Sequence, residues 1–200
     1  MPTFAHNAAL LIIDVQKGFD DAVWGRRNNP QLEERVAELL DAWRDRNAPV
    51  IHVRHMSSSP ASPLRPGQAG NDFKLQARPL SGEAVYEKSM HSAFIGTTLK
   101  ADLRRRGMDT LVIAGLTTNH CVSTTTRMAA DLGFTTWLVG DATATFDRRG
   151  PDGREYTAEQ IQAIALSDLH GEFATVVDCR IALAAIGPAE RRVEMYAGGT

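Results

Sequence analysis

The sequence predicts an α/β domain of three layers, with helices on both faces of a central, mostly parallel six-stranded sheet. Three observations predict it. Strand-like apolar runs alternate with segments of helical periodicity, the pattern of parallel strands joined by helical crossovers. The first run, residues 8–13, is apolar at every position, as in a strand buried on both faces. The chain has 200 residues, 43% of them apolar, enough for one domain core over 1–200 and too few for a second.

The elements follow in order. The run over 8–13 ends at Asp14. Residues 30–47 set Leu32, Val36, Leu39, Leu40 and Trp43 on one helical face. Residues 49–53 read as a second strand. Residues 57–79 are rich in Ser, Pro, Gly and Ala and read as a long loop, a length typical of a functional lid or wall. A short strand covers 84–88, and a helix over 97–106 is stopped by Gly107. Residues 110–115 form the fourth strand, 120–132 a helix stopped by Gly133, and 135–139 the fifth strand, followed by Asp141. A helix over 157–170 is expected to turn Ile161, Ile164 and Ala165 inward, and 174–177 closes the sheet. The tail, 187–200, carries few core residues.

Composition narrows the function. A net charge of -2 excludes a basic nucleic-acid footprint. Two cysteines are too few for a disulfide framework. The first residues lack a leader pattern, and no apolar run approaches the roughly 20 residues that span a bilayer. The expectation is a cytoplasmic protein that engages neither membrane nor nucleic acid. Only four of 22 cationic residues are Lys: Lys17, Lys74, Lys88 and Lys100.

In open parallel sheets, ligands bind beyond the carboxyl ends of the strands. Asp14 ends the first strand, Lys88 ends the third, and Cys121 follows the fourth through Leu116-Thr117-Thr118-Asn119-His120. Three reactive groups therefore emerge on one edge. Cys121 falls in the first turn of a helix, with Thr117, Thr118 or Asn119 as cap. Such a position lowers a thiol pKa, and a nearby ammonium lowers it further. A catalytic Cys121 is expected to react with iodoacetamide well below the reference pKa of about 8.5, whereas ordinary slow labelling favours a non-catalytic scaffold. Asp14 and Asp141 both end strands, and the residues alone do not choose between them. Cys179 closes the last strand with no comparable setting.

Three segments carry a family resemblance: Leu11-Ile12-Ile13-Asp14-Val15-Gln16-Lys17-Gly18-Phe19; Glu87-Lys88 with Ser92-Ala93-Phe94, Gly96 and Leu99; and Val112 through Val122, continuing with Thr126-Arg127, Ala129 and Gly133. Asp141-Ala142-Thr143-Ala144-Thr145 is a weaker fourth. In this order and spacing the chain resembles the isochorismatase-like cysteine hydrolases, in a branch other than the nicotinamidases. The resemblance implies a catalytic triad of Asp14, Lys88 and Cys121, and a cis peptide between Leu116 and Thr117 that turns the Thr117 and Cys121 N–H groups into an oxyanion hole. It implies attack by Cys121 on the carbonyl carbon of a small amide or carbamoyl compound, with Asp14 as proton acceptor and donor and a thioester intermediate. Vinyl ether cleavage, as in isochorismatase itself, is the alternative chemistry, and a non-catalytic scaffold is the alternative class. Phe19, Trp24, His55, Phe94 and His120, with the loop 57–70, are expected to wall the substrate. Arg54 and His55 are candidates for a substrate carboxylate.

Nicotinamidases of this family hold a metal through an Asp-x-His pair after the second strand. Here the segment reads His52-Val53-Arg54-His55, and two residues three apart on a strand face opposite ways. No metal and no cofactor are expected. Family habit implies a homodimer or homotetramer, with 187–200 as a contact element.

Overall fold

The computed structural model describes residues 3–187. The expectation for the tail lies outside them beyond Gly187. Six strands form one sheet: β1 (Ala9–Ile13), β2 (Val50–His55), β3 (Ala84–Lys88), β4 (Thr110–Leu116), β5 (Thr135–Ala144) and, after a two-stranded ribbon of β6 (Arg148–Arg149) and β7 (Glu155–Tyr156), β8 (Thr175–Val177). Their spatial order is β3-β2-β1-β4-β5-β8, and every neighbouring pair in the sheet is parallel.

The continuous apolar run of β1 is explained by its central place. Leu10 and Ile12 enter one core, and Ala9, Leu11 and Ile13 the other, because side chains alternate across a strand. Helices α1 (Leu32–Asp45) and α5 (Cys179–Ile186) cover the first face, and α2 (Leu99–Arg105), α3 (Ser123–Asp131) and α4 (Ala158–Leu169) the second. The face of α1 is the one the periodicity marks: Leu32, Val36, Leu39, Leu40 and Trp43 are all fully buried. Each contributes about 1.5–3 kcal/mol of apolar burial. The Trp43 indole N–H donates to the Ala8 carbonyl at 2.9 Å, which removes the penalty of burying it.

Three expectations are corrected. Ile164 lies 57% exposed, because the inward stripe of α4 runs through Ala158, Ala165 and Leu169. The fifth strand continues to Ala144, so Asp141 sits inside it rather than at its end. Its Oδ1 accepts from the Cys179 N–H at 2.7 Å, and Asp178 caps the same helix through the Ile181 N–H. Cys179 therefore opens α5, a helix the sequence reading did not place.

Gly115 lets β1 and β4 meet closely. Its φ is +124°, and a Cβ there would stand 2.0 Å from the Ile13 carbonyl oxygen. No side chain fits that gap.

Candidate active site

The strand order reverses between β1 and β4: β2 and β3 extend one way, β5 and β8 the other. The crevice at that switch point is where an open α/β sheet places its ligand. Asp14 leaves β1 there, in the left-handed region at φ 52°, with its N–H donating to the Val53 carbonyl at 2.9 Å. His55 and Lys88 end β2 and β3 directly opposite one another. Beyond β4 the Leu116–Thr117 peptide is cis.

Cys121 lies in a π-helical turn, Thr118–Val122, closed by a Val122 N–H to Thr117 carbonyl bond of 3.2 Å and leading into α3. Single π turns are frequent at functional sites. No side chain caps this turn. Thr118 instead donates to Gln162, and Asn119 accepts from Thr145.

The Lys88 ammonium donates to Asp14 Oδ2 at 2.6 Å, and both side chains are wholly buried. A second Lys88 N–H meets His55 Nδ1 at 3.2 Å. Lysine only donates, so Nδ1 is the acceptor and the ring carries its proton on Nε2. Burial, then the charge of Lys88, holds His55 down at about 4, so the ring stays neutral. Asp14 Oδ1 is buried and has no hydrogen-bond partner among the described residues. Asp14, His55 and Cys121 offer atoms that all lie within 4.8 Å of one another.

The electrostatics reverse one expectation. Burial pushes the Cys121 thiol up to about 12, the Asp14 charge adds to this, and Lys88 only partly opposes it. Burial also raises Asp14, against the pull of Lys88. Cys121 is thus a neutral thiol, rather than a thiolate waiting in the free protein. Desolvation outweighs the helix terminus here because Cys121 is 8% exposed.

The histidine pair of β2 does not form the nicotinamidase-type metal set. His52 faces the other way and pairs with Glu83 through Nε2 at 2.9 Å. The spacing of Asp14, His55 and Cys121 suits a cation, but the Lys88 ammonium already stands between Asp14 and His55 and supplies that charge.

A cavity of about 490 Å³ opens over Cys121. Of the expected wall residues, Phe19, Trp24, His55 and His120 line it. Phe94 does not: it is a core residue stacked on Phe134 at 5.8 Å. Arg54 is also elsewhere, paired with Glu87 and lying 5.6 Å over the Phe73 ring. The loop supplies Leu64. Lining residues that the sequence did not single out include His91, Thr145, Phe146 and Arg148. Phe146 completes an aromatic triangle with Phe19 and Trp24, with ring centroids 5.3–6.1 Å apart. Its signal was faint: it stands one residue beyond the segment 141–145.

The long loop is a fixed wall. Buried Gln16 accepts from the His55 N–H at 2.8 Å and donates to the carbonyls of His55 and Asn71. Asn71 donates to the His55 and Leu64 carbonyls. Lys74, 6% exposed, joins Asp20 and Glu33. Gly70 permits the contact, since a Cβ there would stand 2.2 Å from the Pro63 oxygen.

The chain is similar to known proteins along most of its length. The isochorismatase domain matches residues 8–180. The chain is 46% identical over 169 residues to the uncharacterized isochorismatase family protein YrdC of Bacillus subtilis, covering 84% of this chain and 90% of that one. It is 30% identical over 185 residues to nicotinamidase 3 of Arabidopsis thaliana, covering 86% and 85%. A crystal structure of an isochorismatase-family protein from Chromobacterium violaceum superposes with a TM-score of 0.90 at 44% identity, covering 94% of this chain and 97% of that one. A six-stranded parallel sheet, a crevice at its switch point and this similarity along nearly the whole domain lead to one conclusion: the chain belongs to the isochorismatase family of hydrolases.

Proposed function

We propose that this protein hydrolyses the C–N bond of a small amide or carbamoyl compound through a thioester formed on Cys121. The observation that carries the reading is the buried Asp14 carboxylate, with an oxygen within 4.8 Å of the thiol sulfur and its Oδ1 unpartnered, beside the Lys88 ammonium and beneath a cavity sized for a small molecule. A relative that is a nicotinamidase supports amide chemistry, while the orientation of His52 separates this chain from the metal-holding pattern.

The neutral thiol sets the first step. Asp14 Oδ1 takes the Sγ proton as sulfur attacks the carbonyl carbon, so thiolate character arises only as the C–S bond forms. The C=O π pair moves to oxygen. The backbone N–H groups of Thr117 and Cys121 receive that oxyanion, each donor contributing about 3–4 kcal/mol in comparable systems. Protonated Asp14 then gives its proton to the nitrogen, the C–N bond breaks, and ammonia or an amine leaves a thioester. In the second half Asp14 takes a proton from water, hydroxide oxygen attacks the thioester carbon, and the C–S bond breaks as the proton returns to sulfur. The sum is amide plus water to carboxylate plus ammonium.

Lys88 keeps the Asp14 carboxylate ionised in its buried setting. Neutral His55 accepts from Lys88 and so directs its remaining N–H groups toward Asp14 and Cys121.

The test is ammonia release from a panel of primary amides and carbamoyl compounds, with wild type, Cys121→Ala and Cys121→Ser. Turnover is expected in the wild type alone, with the fold unchanged in all three by circular dichroism. Undiminished hydrolysis by pure Cys121→Ala protein would overturn the reading.

A further inference from the structure

The cavity wall carries an apolar group, Phe19, Trp24 and Phe146, and a basic group, Arg148, His91 and His120, whose two imidazole rings stand 6.2 Å apart. Each acidic group that lines it already has a cationic partner. Asp14 is held by Lys88, and Asp147 is held by Arg26 at 2.9 Å and by the Ala158 N–H. Arg149 is occupied by Glu155 and the Gly153 carbonyl. Arg148, whose backbone pairs with Tyr156, has no carboxylate or hydrogen-bond partner for its guanidinium among the described residues. A guanidinium left unpaired on the wall of a crevice is a fork for a planar anion. Its field already reaches into the cavity, where after burial it is the next cause holding His120 below the usual histidine range. Phe146 and Arg148 are two residues apart, the spacing that puts side chains of an extended chain on one side.

Resting on the amide-hydrolase reading, we infer that Arg148 forms an anion subsite and that the substrate is a small amide carrying a carboxylate at the end away from the scissile bond. The amide carbon lies over Cys121, the body of the molecule passes along the aromatic wall, and the carboxylate meets the Arg148 guanidinium. Water adds to such a substrate to give a dicarboxylate and ammonium.

Succinamate and butyramide test this as a pair, because they are nearly isosteric and differ by one charge. Wild type is expected to favour succinamate in kcat/KM by about 10- to 100-fold, the range of a charge-assisted hydrogen-bonded pair. In Arg148→Gln that ratio falls toward one through a rise in KM for succinamate, and Arg148→Lys keeps part of it. Equal use of the two amides by wild type, or an equal loss on both in Arg148→Gln, overturns the subsite. A second arm needs no turnover: calorimetry of succinamate and butyramide on Cys121→Ser with and without Arg148→Gln. Binding of succinamate that vanishes with Arg148→Gln supports the subsite even where neither amide is hydrolysed, an outcome that strikes only the amidase reading. Absent or Arg148-independent binding strikes the subsite itself.

Discussion

Replacing Lys88 by Met isolates what the buried ion pair does. The ammonium and the Asp14 carboxylate lie 2.6 Å apart with no solvent exposure. At an effective dielectric of about 20 they attract by about 6 kcal/mol. Burying the two ions costs several kcal/mol each, so the intact pair comes close to breaking even. Lys88→Met forfeits the attraction and leaves Asp14 desolvated, an imbalance of about 3–5 kcal/mol. Set against a domain stability of about 5–15 kcal/mol, the variant still folds but is weakened. The lone Asp14 then binds a proton. Its native pKa, already raised by burial with Lys88 present, rises further above the unfolded value of about 3.9. The native state thus holds more protons than the unfolded state above that value. Stability is therefore full below about pH 4 and falls as pH rises toward the raised native pKa, by about 1.4 kcal/mol per unit. Urea unfolding of wild type, Lys88→Met and Lys88→Met with Asp14→Asn, followed from pH 5 to pH 8, measures this. The single variant is expected to lose most at pH 8, and the double variant to recover more than half of that loss, because a neutral amide needs no counter-charge. A single variant within about 1 kcal/mol of wild type at pH 8, or a double variant no more stable than it, would refute the reasoning.

Two further outcomes are expected. Gly70→Ala forces a Cβ to 2.2 Å from the Pro63 oxygen and should destabilise the fold by about 1–3 kcal/mol while raising KM, as the wall carrying Leu64 shifts; thermal unfolding and steady-state kinetics check this, and an unchanged melting temperature counts against it. With its thiol pushed up to about 12, Cys121 in the free protein should alkylate slowly with iodoacetamide at pH 7, quickening about tenfold per pH unit as the thiolate fraction grows. Rapid labelling that levels off below pH 8 would show a preformed thiolate and remove the need for Asp14 as base.

Much of this was legible in the residues. The unbroken apolar run of β1 announced a strand buried on both faces, and the heptad-like spacing of α1 named its core face without error. The rule that ligands gather at strand ends brought Asp14, Lys88 and Cys121 to one edge. It failed for Asp141, because β5 runs on to Ala144 and turns that carboxylate toward the start of α5. It was silent on α5, whose eight residues form too short a run for a clear period. Phe94 illustrates a second limit. An aromatic beside a motif reads equally as wall or core, and only its stacking on Phe134, forty residues away in sequence, makes it core.

The sequence by itself determined the layers, the strands and the three reactive groups on their edge, because periodicity and chain order are local properties that backbone geometry translates directly. The tertiary structure decided the chemistry of those groups. Whether Cys121 is a thiol or a thiolate depends on how completely it and Asp14 are removed from water, and on a Lys88 charge supplied from a different strand. The same holds for His55, whose proton is placed by Lys88, and for Arg148, whose guanidinium stays free because the neighbouring carboxylates are already paired. Charge, burial and partnership are properties of packed neighbours, and residues far apart in the chain become neighbours only when the sheet closes its faces.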